Sequence, residues 1–193
     1  MRRWKRTETA AGPRFRTALQ RHESALLHNM AAAVMDMLDE RESSSPTDEL
    51  QQITGMRTGH ARPPEDATML RLLPDFFRPE ASAGASRPDG LNDALRSLHE
   101  PAIIDAKRAA IQRLLQSCPV GGGRVELTEE DANAWLGAVN DIRLALGAML
   151  GIDSDGPDRL PAGHPLAGHL DVYQWLTVLQ EYLVLALMDN PSR

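Results

Sequence analysis

Residues 128–152, TEEDANAWLGAVNDIRLALGAMLGI, decide the fold of this chain. Thr128, followed by Glu129, Glu130 and Asp131, is a helix start. It offers a hydroxyl to the free amides and acids to the positive end of the helix. From Ala132 onward apolar residues occupy nearly every side. Such a helix runs through an interior rather than along a surface. Asn140, Asp141 and Arg143 interrupt it at mid-length, and polar groups inside a core need partners. Gly137 and Gly147 each cost about 1 kcal/mol relative to alanine in a helix. Close helix contacts are expected at both.

The neighbouring segments supply the helices that would surround it. Leu26, Leu27, Met30, Val34, Met37 and Leu38 share one face of a helix from about Glu23 to Glu42. Ser45-Pro46-Thr47-Asp48 reads as the start of a short helix ending near Gly55. Residues 89–118 are helical in pattern, and Pro101 predicts a kink or two abutting helices. The last helix covers about Leu166 to Met188, with Gln174, Thr177 and Glu181 as its one polar stripe. Between them lies a Pro-rich connection, 55–88, with one short helix near Glu65 to Leu73. Its ASAGASRPDG tail is the best candidate for disorder.

Two short stretches read as strands. Trp4–Thr7 and Arg14–Thr17 could pair across a turn at Gly12-Pro13, which would turn Trp4 and Phe15 toward the body. Val125-Glu126-Leu127 follows Gly121, Gly122 and Gly123. A phosphate cradle needs a helix directly after its glycines, so the glycines read as a turn. The strand at 124–127 could then join the hairpin. The fold class is mainly α: one domain over 1–193 of about five or six helices, with a small N-terminal β-hairpin. Its 193 residues suit one domain, and aromatics at only 4% leave Leu, Ala, Met and Val to fill the core, which favours helices.

Charge is unevenly spread. Residues 1–21 hold seven basic residues against Glu8 alone, a net of +6 on a chain of net −6, which leaves −12 for the remainder. A basic arm (1–20) on an acidic body suits an acidic partner, a nucleic-acid backbone or a second copy. Arg2, Arg3, Lys5, Arg6, Arg14 and Arg16 are the expected partner-binding residues. No helix carries a basic face suited to a major groove, so nucleic acid is the weaker option. The most apolar run, Val172 to Met188, is too short and too polar to span a bilayer, and no apolar segment follows the basic start. No membrane role and a cytoplasmic location are expected.

Chemistry-bearing residues are few. His99 and Glu100 beside Pro101, with Asp141, Arg143 and Glu181, are expected to form a polar network between core helices. Arg143 would be tied to Glu100, Asp105 or Glu181. The competing reading is a small-ligand binder or enzyme built on the same cluster. No nucleophile lies beside a base, so no catalytic residue is assigned. His22/His28 and His164/His169 miss the spacing of helical metal sites, so no metal or cofactor is expected. Cys118 is the only cysteine, which excludes an intramolecular disulfide. At the negative end of a helix it reads as an inert, buried thiol.

MRRWKRTETAAGPRFR, SSSPTDELQQITGMRTGH, LRLLPDFFRP, LHEP and WLGAVNDIRLALG, in that order, resemble an actinobacterial family, the AosR-like family. It is catalogued as a domain of unknown function, and some of its members are named oxidative-stress transcriptional regulators. The resemblance covers residue 1 to about 188 and carries over no catalytic residue. It implies an intracellular regulator that acts through a protein partner of the transcription machinery; together with the charge asymmetry, the leading expectation is a non-enzymatic regulator or adaptor with an acidic protein partner. A direct DNA-binding regulator is the further alternative.

Overall fold

A computed structural model describes residues 3–45, 55, 57–77, 90–152 and 165–188. The element order is β1 (Lys5–Thr9), β2 (Gly12–Leu19), α1 (Arg21–Ser43), α2 (Ala67–Leu72), α3 (Leu91–Ser117), β3 (Gly123–Leu127), α4 (Glu129–Met149) and α5 (Ala167–Met188). The chain is mainly helical, with one small antiparallel sheet in the order β1-β2-β3. The short helix expected after Ser45 lies outside the described residues.

Helix α4 is the opening stretch of the sequence, and it is the centre. It packs against α1, α2, α3, α5 and the sheet. Trp135, Ala138 and Ile142 are fully buried. Its start is a reciprocal cap. The Thr128 hydroxyl accepts from the Asp131 amide at 3.1 Å and donates to the Asp131 carboxylate at 2.7 Å. The close contact expected at both internal glycines is found at Gly147, whereas Gly137 is exposed and would accept a Cβ at ordinary contact distance. A Cβ at Gly147 would lie 3.2 Å from the Tyr173 ring of α5, and one at Gly137 would lie 3.8 Å from Ala110 of α3.

The hairpin turns two residues earlier than the sequence suggested. Ala10-Ala11 form the turn, and Gly12, with φ +93°, opens β2. Thr9 pairs with Gly12 and Lys5 with Arg16. A two-residue loop followed by a left-handed glycine matches the strand twist better than a turn centred on Gly12-Pro13. β3 joins β2 with Phe15 opposite Leu127, as the three-stranded reading required. Trp4 and Phe15 are buried, and the Trp4 ring meets Trp135 edge-on at 5.6 Å. That contact fixes the sheet to the central helix.

Pro101 does not divide its helix: α3 runs unbroken from Leu91 to Ser117. Proline cannot donate to the carbonyl four residues back, which is Ser97. The Gly59 amide donates to that carbonyl instead, at 2.8 Å. Gly59 can approach because it has no side chain; a Cβ there would lie 3.0 Å from Cδ of Pro101. The Pro-rich connection thus replaces the hydrogen bond that its partner helix lacks. It is pinned elsewhere through its carbonyls: Arg41 donates to Arg62 O at 2.7 Å and Arg96 to Leu73 O at 2.9 Å.

Candidate partner-binding face of the sheet

Side chains alternate across a strand, and the register divides the basic arm in two. Phe15, Thr17 and Leu19 of β2, with Val125 and Leu127 of β3, face the core. The residues between them face outward. Lys5 lies opposite Arg16, Arg16 opposite Glu126, and Arg124 opposite Ala18. Arg3, two residues before Lys5, and Arg14, two before Arg16, take the same side by alternation. The outer face therefore carries Arg3, Lys5, Arg14, Arg16 and Arg124 against Glu126 alone. Arg3, Lys5, Arg16, Arg124 and Glu126 line an open groove of about 470 Å³.

The one acid on this face is held by the bases around it. Arg16 donates to Glu126 at 2.8 Å. That hydrogen bond, then the charges of Arg16 and Arg14, keep the Glu126 carboxyl below its ordinary range. The Arg14 guanidinium folds onto the turn, donating to Pro13 O at 3.1 Å and Ala11 O at 3.3 Å. Lys5 and Arg124 are exposed.

Arg6 does not belong to this face. It pairs across the strand with Phe15, lies over that ring at 5.9 Å, and donates to Glu8 at 2.9 Å. Arg2 lies outside the described residues. Arg124 was missed because it is remote in sequence from the arm. Alternation carried the signal: with Val125 and Leu127 apolar, Arg124 and Glu126 had to point the other way.

The five residues expected to form one core network are not brought together. Glu100 is 2% exposed and accepts from both Arg41 (2.9 and 3.2 Å) and Arg96 (3.1 Å). Arg96, itself 1% exposed, reaches on to Asp75 at 2.9 Å. Asp141 pairs with Lys107 at 2.6 Å, and burial pushes its carboxyl up against the pull of that lysine. Arg143 takes Asn140 at 3.2 Å and lies over the Tyr173 ring. It meets none of Glu100, Asp105 and Glu181: Arg41 and Arg96 take Glu100, Arg57 and Arg108 take Asp105, and Glu181 is exposed. His99 is exposed and tilts against Phe76. His99, Glu100, Asp141 and Arg143 thus take separate partners rather than one shared network.

Cys118 is 3% exposed. Burial pushes its thiol up, opposed in part by the Ser24 hydroxyl 3.5 Å away. A thiol kept protonated and shielded reacts slowly. Alkylation by iodoacetamide near neutral pH is expected to track global unfolding in a urea series. Rapid labelling of the folded protein, read by intact mass, would show the thiol to be accessible.

Among the described residues no helix is long and apolar enough to cross a membrane. The model of a domain of unknown function, DUF2017, matches residues 1–187. The chain is 62% identical over 195 aligned residues to proteins of Mycobacterium tuberculosis and Mycobacterium bovis, each named oxidative stress regulator AosR. Those alignments cover 98% of this chain and 89% of each relative. No solved structure matches. On a match across nearly its whole length, this chain belongs to the DUF2017 family.

Proposed function

We propose that this protein is a non-enzymatic regulator that binds an acidic protein partner through the outer face of its sheet, in a transcription-related setting. The observation that carries the reading is the sheet face itself. Five cations and one acid share it, on a chain of net charge −6. A concentrated field of one sign opposite to the body steers and orients an acidic partner. The name of the mycobacterial relatives supports a regulatory role. With one cysteine in the chain, and that one buried, an intramolecular disulfide does not supply the regulation.

Reversing Lys5, Arg16 and Arg124 to Glu together tests it. All three are exposed, but the reversal breaks the Arg16–Glu126 pair and places acids opposite one another, so each site should cost up to about 1 kcal/mol and a thermal melt checks that the variant folds. Capture of partner protein from lysate of the native organism should fall at least roughly tenfold. Unchanged capture would sink the reading. A random-sequence duplex belongs in the same assay. Tight, steeply salt-dependent retention of DNA in place of protein would transfer the face to nucleic acid.

A further inference from the structure

The basic groove does not end at the sheet. The Arg3 guanidinium stacks over the ring of Tyr182 on α5, 4.9 Å from its centre. Val178 and Leu185 lie four residues before and three after Tyr182, on the same helical face. Both are open to solvent, at 37% and 54%, and Met188 one turn further is 74% exposed. Apolar side chains this exposed at helical spacing make a ridge rather than scattered surface residues. The ridge therefore runs beside a groove lined by Arg3, Lys5, Arg16 and Arg124.

We propose that the α5 ridge and the sheet groove form one surface, joined at Arg3 and Tyr182, which binds an acidic amphipathic helix of a protein partner. This inference rests on the regulatory reading above and adds the partner's chemistry. An apolar stripe beside a cationic groove is the complement of a helix with an apolar face and acids along one flank. Other occupants fit less well. Helix α5 contains no Lys or Arg, while Asp171 and Glu181 lie exposed on it. The partner helix avoids Asp171 and Glu181 by turning its acidic flank toward the groove, which the continuous negative surface of an anionic membrane cannot do. Duplex DNA would use the groove and leave the ridge without a function.

The test uses fluorescence anisotropy with the full chain and a labelled, stapled peptide of about eighteen residues. Leucines lie on one face of the peptide and glutamates along one flank. Comparison probes are a scrambled peptide of the same composition, phosphatidylglycerol vesicles and a random duplex. The designed peptide should bind, more weakly as salt rises. Val178→Gln/Leu185→Gln should weaken it roughly tenfold and leave its salt dependence in place. Lys5→Glu/Arg16→Glu should weaken it and flatten that dependence. Thermal melts check that the variants fold, and Leu185→Gln alone serves if the double variant melts early. Absent peptide binding, equal binding of the scrambled peptide, tighter binding of vesicles or duplex, or an unaffected ridge variant would each overturn the inference. Lysate capture separates the two readings. Capture lost only in the sheet variant removes the helix and keeps the partner, whereas capture kept in the sheet variant removes both.

Discussion

Glu100→Ala is expected to cost about 3–5 kcal/mol of folding stability, the range for removing one member of a buried ion pair. At this chain length that lowers the melting temperature by about 6–20 °C. Glu100 is 2% exposed and has an arginine on either side of it. Without its carboxylate, Arg96 stays buried with Leu73 O and Asp75 as partners, and Arg41 keeps Arg62 O. Two cations then face each other across the gap. Arg96 keeps the Asp75 carboxylate, so the cost comes mainly from the charge of Arg41, left with a carbonyl alone, and from its repulsion by Arg96. The triple variant Arg41→Met/Arg96→Met/Glu100→Leu should therefore be more stable than Glu100→Ala alone. Urea unfolding of the two variants decides it. If the triple variant unfolds at lower urea, the network stabilises by attraction and this account of it is wrong.

Gly122→Ala is the second large effect, expected at about 2–5 kcal/mol. Gly122 has φ +76°, a conformation that costs a residue with a Cβ about 1–2 kcal/mol. Overpacking adds about 1–3 kcal/mol. A Cβ there would lie 2.7 Å from the Arg21 backbone nitrogen and 2.8 Å from the Gln20 carbonyl carbon. Both atoms belong to the start of α1, which cannot swing away as a flexible side chain could. Gly121, next in sequence, has open space where a Cβ would go and no positive φ. Gly121→Ala should stay within about 0.5 kcal/mol of the parent. Equal melting of the two variants would refute the close approach of this turn to α1.

The three adjacent glycines illustrate how far the sequence could be read. Their role as a turn before a strand followed from Val125-Glu126-Leu127 coming next in the chain. That the middle glycine must also clear the start of α1 depends on a helix a hundred residues earlier, and Gly123, at φ +128°, is held to glycine by its backbone alone. The same division runs through the candidate site. The excess of basic residues in the arm was visible in the sequence, and so was the burial of Trp4 and Phe15. Arg6 falls two residues after Trp4, so alternation alone sorted it from Lys5. The turn at Ala10-Ala11 decided the cross-strand partners, Arg16 for Lys5 and Phe15 for Arg6. Arg124 joined the face only when β3 paired with β2.

The polar residues of the core divide in the same way. Arg96 and Glu100 are four apart on one helix and are neighbours by spacing alone. Arg41 and Asp75 reach them from other segments. Arg143 was expected to find a carboxylate, but the helical phase that buries Ile142 turns it toward Tyr173, and Lys107 takes Asp141. Local periodicity and capping act over one or two turns of chain. By itself the sequence therefore determined the central helix, found at Glu129–Met149, its cap, the presence of the strands and the uneven charge. Partner choice in a buried network, the hydrogen bond that Gly59 supplies at Pro101, and the meeting of the basic groove with the α5 ridge join residues far apart in the chain. Those were decided only by the tertiary structure, because pairing across space is set by packing and register rather than by spacing.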